Sequence, residues 1–179
     1  GTLVDSAADI ALSLNRALAD LGLGAVTEAQ VRDWVGRGAA RLIEVALQHV
    51  VPHHAQDPQK HAVETRLLAA FMARYQDSVC EASTVYPGVA EFVAAARDAG
   101  IRLACVTNKP YRPAVALLEA LNLLDAFELV IGGDTLAHKK PHPEPLLHCL
   151  RHFEVAAAQA LMIGDSRNDV DAAKAAGVK

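Results

Sequence analysis

Ala160-Leu161-Met162-Ile163-Gly164-Asp165-Ser166-Arg167-Asn168-Asp169 is the stretch on which the fold turns. Its opening apolar run predicts a buried strand over 160–163. Asn168 to Ala176 then has a helical pattern, which Gly177 ends. Two carboxylates four residues apart therefore bracket a strand-to-helix turn. Magnesium takes hard oxygen ligands, usually about one or two protein carboxylates completed by water and phosphate. Asp165, at the strand end, is the better direct ligand. Asp169, one turn later, is placed to orient a metal-bound water. The same pair also reads as a double helix cap.

Two similar units lie upstream. Ile101 to Val106 reads as a strand, followed by Thr107-Asn108 and a helix over Pro113 to Leu121. Phe127 to Ile131 reads as another strand. It is followed by Gly132-Gly133-Asp134, then His138-Lys139-Lys140-Pro141-His142-Pro143, and a helix over Pro143 to His152. A further helix, Val89 to Ala99, closes at Gly100. Strands alternating with helices imply an α/β fold with a parallel sheet covered on both faces. Ligands bind such sheets at the carboxyl ends of the strands. A hydroxyl and backbone amide at Thr107-Asn108 suit a phosphate oxygen. Lys140, before a proline at the mouth of a helix, suits a phosphate and a neighbouring carboxylate. Taken singly, Thr107-Asn108 is also an ordinary turn and Lys140 a solvated lysine. Together, a hydroxyl, a lysine and an acidic pair follow three successive strands and converge on one sheet edge.

The first half is different. Ser6 precedes a helix with Ile10, Leu14, Leu18 and Leu21 on one face, and Gly22 and Gly24 end it. Thr27 and Gln30 have capping-box spacing. Arg41 to Val50 reads as a third helix, stopped by Pro52. Asp57-Pro58 reads as the start of a fourth, with Val63, Leu67, Phe71 and Tyr75 on one face. Residues 11–84 are thus expected to be an all-helical domain, set between residues 1–10 and 85–179 of an α/β domain.

These motifs resemble the haloacid dehalogenase superfamily of phosphatases. Thr107-Asn108 looks like its second motif, Lys140-Pro141 like its third, and the Gly164 to Asp169 stretch like its fourth. Gly1-Thr2-Leu3-Val4-Asp5-Ser6 looks like the tail of the first, Asp-x-Asp-Gly-Thr-Leu-x-Asp-Ser. The resemblance implies a Rossmann-like parallel-sheet core with a helical cap at 11–84. It also implies a Mg2+ cofactor and a small phosphorylated metabolite as substrate. Val106 to Pro110, Ile131 to Asp134 and Lys139 to Pro143 resemble the bacterial phosphoglycolate phosphatases in particular. By that resemblance the nucleophilic and acid/base aspartates belong ahead of Gly1, as does the first core strand, and the family usually continues past Lys179. These 179 residues alone are accordingly expected to be inactive. Thr107 and Asn108 are expected to grip phosphate, Lys140 to span phosphate and nucleophile, and Asp165 and Asp169 to serve the metal. Arg37, between Gly36 and Gly38 in the cap, is placed to meet a substrate carboxylate, or is simply a solvated arginine in a turn.

Other sugar-phosphate phosphatases and mutases share these motifs. A non-catalytic phosphate- or metal-binding module of the same fold is the alternative of a different class. A signalling receiver domain lacks both the helical insertion and the acidic pair after the lysine. The net charge of -4 and pI near 6.0 argue against nucleic-acid or anionic-membrane binding. No apolar run approaches the roughly 20 residues of a membrane span. Cys80, Cys105 and Cys149 form no paired motif, which suggests a reducing, cytoplasmic setting. His148 and His152, four apart on a helix, read as a solvated face rather than a zinc pair.

Overall fold

A computed structural model of the chain describes residues 1–56 and 58–179. These form two compact units, Ser6–Ser83, and Gly1–Asp5 with Thr84–Lys179.

Among the described residues, Ser6–Ser83 holds four α-helices: α1 (Ala7–Asp20), α2 (Glu28–Trp34), α3 (Ala39–Val50) and α4 (Lys60–Asp77). On α1, Leu14 and Leu18 are fully buried, but Ile10 and Leu21 are only partly so. The buried face is rotated toward the small residues Ala7, Ala11 and Ala17, which let neighbouring helices approach. Ser6 holds the N-cap position without a side-chain capping bond. The Thr27 capping box is complete. Gln30 N–H donates to Thr27 Oγ1 at 3.2 Å, and Thr27 N–H donates to Gln30 Oε1 at 2.8 Å. α3 begins at Ala39 rather than Arg41, directly after Gly38, whose φ of +92° suits a residue without a Cβ. Of the expected helix start at Asp57-Pro58, Asp57 lies outside the described residues, and α4 runs from Lys60. Leu67, Phe71 and Tyr75 of α4 join Val31, Ile43 and Leu47 in one core, with the Phe71 and Tyr75 rings stacked at 5.5 Å.

One charge is sealed inside this unit. The Asp9 carboxylate is wholly buried and accepts Ala82 N–H at 2.7 Å, Ser83 N–H at 2.8 Å and the Ser83 hydroxyl. Three donors replace the water that a buried anion loses. Asp9 thereby ties the start of α1 to the end of the unit.

The other unit is α/β. β1 (Val4–Asp5) pairs antiparallel with β2 (Thr84–Val85), and Tyr86 N–H donates to Leu3 C=O at 3.0 Å. There follow α5 (Val89–Asp98), β3 (Ala104–Val106), α6 (Tyr111–Ala120), β4 (Leu129–Ile131), α7 (Glu144–Phe153) and α8 (Arg167–Ala176). β3 and β4 are parallel, with Ala104, Cys105 and Val106 opposite Leu129, Val130 and Ile131. Leu146 of α7 and Ala172, Ala173 and Ala176 of α8 pack with Val106 and Met162.

Three strand expectations need correction. The strand expected over 101–106 is regular only over 104–106, and Ile101 is 57% exposed. The strand expected over 127–131 is regular only over 129–131. Residues 160–163 form no strand. Met162 N–H donates to Lys179 C=O at 2.8 Å, but no ladder forms, and Leu161 and Ile163 are 70% and 53% exposed. An apolar run supplies side chains suited to a sheet, whereas a strand exists only where a second backbone accepts and donates. Cys80, Cys105 and Cys149 are all free thiols. Among the described residues no helix is long and apolar enough to cross a membrane.

Candidate active site

Lys140 is the hub of the α/β unit. It is 8% exposed, and its Nζ donates to Val106 C=O at 2.5 Å and to Asp169 Oδ1 at 2.6 Å. Its own carbonyl accepts Asn108 Nδ2 at 2.8 Å. One side chain thus joins the end of β3, the loop after β4 and the first turn of α8. The Lys140–Pro141 peptide is cis.

Asp169 is held from two sides. Its Oδ2 accepts Ser166 N–H at 3.0 Å and Ser166 Oγ at 2.5 Å, while Oδ1 takes Lys140. Burial pushes the Asp169 carboxyl up, but the Lys140 and Ser166 bonds outweigh it and hold the group below the ordinary carboxylate range. Gly164 makes room for this arrangement. A Cβ there would lie 2.4 Å from the Asp169 side chain.

Asp165 has a different environment. Its side chain is 52% exposed; its Oδ1 accepts the Thr2 hydroxyl at 2.9 Å, and its Oδ2 the Gly1 amine at 3.0 Å. A half-exposed carboxylate offers oxygen ligands of the kind a hard divalent cation takes. Asp169 retains only the second lone pair of Oδ1 for a partner, which suits it to a metal-bound water better than to the ion.

Thr107 ends the β3 ladder, its N–H donating to Ile131 C=O at 2.9 Å. Its Oγ1 accepts Lys109 N–H at 3.1 Å, fixing a tight turn. That turn lies against the glycine pair. Gly133 N–H donates to Lys109 C=O at 2.8 Å, and a Cβ on Gly133 would lie 2.4 Å from the Asn108 carbonyl oxygen. Asp134 Oδ1 then accepts Tyr111 N–H at 2.7 Å, at the start of α6. Gly132-Gly133-Asp134 therefore shapes the loop that carries Thr107 and Asn108.

Thr107, Asn108, Lys140, Asp165 and Asp169 all belong to this unit, and direct bonds link Asn108, Lys140 and Asp169. Arg37 belongs to Ser6–Ser83, exposed in the turn between α2 and α3 and flanked by Gly36 and Gly38 with φ of +106° and +92°. Ser166 was not singled out as a site residue in the sequence, although Ser-x-x-Asp at a helix start is a capping signal.

The haloacid dehalogenase-like hydrolase family matches residues 1–179. The phosphoglycolate phosphatase of Nitrosococcus oceani is 45% identical over 176 residues, covering 98% of this chain and 76% of that protein. The structure of a predicted phosphoglycolate phosphatase from Haemophilus somnus superposes with a TM-score of 0.88 at 34% identity, over 99% of this chain and 79% of that one. CbbY from Rhodobacter sphaeroides, solved with phosphate, gives a TM-score of 0.81 at 28% identity, over 100% of this chain and 80% of that one. An α/β core matched along its whole length by that family defines the class, and the chain belongs to the haloacid dehalogenase-like hydrolases.

Proposed function

We propose that the chain supplies the phosphate- and metal-binding machinery of a magnesium-dependent phosphomonoesterase, acting on 2-phosphoglycolate to release glycolate and phosphate. The buried Lys140–Asp169 pair at the convergence of β3, the post-β4 loop and α8 is the observation that carries the reading. A lysine held rigid by a carboxylate and a carbonyl presents positive charge without reorganising during reaction. Lys140 has a third N–H to direct at a phosphoryl oxygen or at the attacking carboxylate. The Thr107 hydroxyl and the Asn108 amide hold another phosphoryl oxygen.

Asp165 is the metal ligand in this reading, and Asp169 orients both Lys140 and a water of the ion. Magnesium, when bound, neutralises phosphoryl charge. The attacking group in this reading is an aspartate carboxylate, which forms an aspartyl-phosphate. Ser6–Ser83 acts as the cap in this reading, and Arg37 is its residue assigned to the substrate carboxylate. The matched phosphoglycolate phosphatases support this choice of substrate.

The test is to assay the reading frame encoding this chain on 2-phosphoglycolate beside other small phosphomonoesters, with and without chelator. Preference for 2-phosphoglycolate, lost with chelator and in Asp165→Ala, is expected. Equal rates on every substrate would remove the substrate assignment. Undiminished turnover of Asp165→Ala at saturating magnesium would remove the metal assignment.

A further inference from the structure

His138, His142 and Glu144 flank Lys140 but take no part in the proposed reaction. One ligand atom from each lies within 4.8 Å of the others. The two imidazoles stack with centroids 4.1 Å apart and planes 19° apart. His138 Nδ1 lies 3.0 Å from Glu144 Oε2, which also accepts His138 N–H at 2.8 Å. Glu144 N–H donates to His142 Nδ1 at 3.1 Å.

The geometry points to a second cation site here, formed by His138, His142 and Glu144 and selective for a borderline divalent transition ion such as Zn2+. Two ligands on a tetrahedral zinc ion, each about 2.0–2.1 Å from the metal, are about 3.3 Å apart. His138 Nδ1 and Glu144 Oε2 already have nearly that separation. An ion between them takes the place of the proton they share. His142 reaches it by a modest side-chain rotation, which exposure permits, exchanging its bond from Glu144 N–H for the metal. Solvent supplies the remaining position.

The scaffold is fixed where it matters. Lys140 anchors the middle of the loop to Val106 and Asp169, and His142 N–H donates to Lys139 C=O at 3.0 Å. The donor set separates this site from the first. Imidazole suits zinc, copper and nickel, whereas magnesium prefers oxygen alone. An ion bound here ties the loop carrying Lys140 to the first turn of α7.

The probe is Zn2+ alone, titrated calorimetrically into the 179-residue chain in excess Mg2+. One ion per chain is expected, with affinity reduced at least about tenfold in His138→Ala and in His142→Ala. Glu144→Gln should weaken binding too, and His148→Ala should not. Circular dichroism confirms that each variant is folded. Absence of saturable binding overturns the proposal, as does undiminished affinity in both histidine variants. Loss of binding in Asp165→Asn with retention in His138→Ala would overturn it as well, placing the ion on the other carboxylate. Because magnesium is present throughout, failure here leaves the phosphatase reading standing.

Discussion

Replacing Lys140 with methionine keeps the length of the side chain and removes its charge. In the native fold the Lys140 and Asp169 side chains are 9% and 8% exposed and meet at 2.6 Å. Lys140→Met leaves Asp169 with only its Ser166 donors and leaves the Val106 carbonyl without the ammonium. Breaking a buried ion pair by removing one partner costs about 3–5 kcal/mol. The orphaned carbonyl alone would cost about 1–3 kcal/mol, a part of that total. We therefore expect Lys140→Met to lose roughly 3–5 kcal/mol of unfolding free energy at pH 7, read by urea titration with far-ultraviolet circular dichroism. Asp169→Asn should lose a similar amount. The double variant should lose less than the sum by about 2 kcal/mol, since each single change strands the other partner. A loss below about 1 kcal/mol for Lys140→Met, or additivity within about 0.5 kcal/mol, would refute the pairing as the mechanical centre of the site.

Acid should weaken the native chain through the same pair. Asp169 has its folded pKa depressed, so its stabilisation is full above the ordinary carboxylate range and is lost as pH falls through the folded value. The stability slope between about pH 4 and pH 2 should flatten in Lys140→Met; an unchanged slope would assign the acid sensitivity to other carboxylates. Gly164→Ala should lose at least about 1–3 kcal/mol, because its Cβ meets the Asp169 side chain at 2.4 Å, and that side chain is held by Lys140 and Ser166. Equal stability by the same titration would show that the turn yields. Asp9→Ala should lose about 2–4 kcal/mol, with Ala82 and Ser83 left without their acceptor. Trp34, the single tryptophan of the chain and part of the same unit, reports that loss by fluorescence, and a wild-type midpoint would refute it.

The helices of Ser6–Ser83 were legible because their signals are local. The Thr27–Gln30 box, the Leu67, Phe71 and Tyr75 spacing and the glycines near the helix ends operate within a turn or two of chain. Asp9 was not legible in this way. Its three donors come from Ala82 and Ser83, more than seventy positions away, and no periodicity marks such a partner. His54 was similarly opaque: it sits beside exposed His53 in a polar stretch, yet is 2% exposed and pairs with Glu64.

In the α/β unit, the order of β3 and β4 and the residues after them followed from the sequence alone, as did the family. Thr107, Lys140, Asp165 and Asp169 follow apolar runs, and residue type with position suffices to nominate them. Strand extent did not follow, because a ladder needs a partner backbone that the run does not encode; 160–163 is apolar but unladdered. The sequence did rank the two aspartates, with Asp165 expected as the direct ligand and Asp169 one turn behind it, but it named no partner for either. Only the tertiary structure buries Asp169 on Lys140, twenty-nine residues away, and leaves Asp165 open to solvent. Burial and charge pairing are properties of neighbours in space, so only the fold shows that Asp169 is tied to Lys140 while Asp165 stays half-exposed.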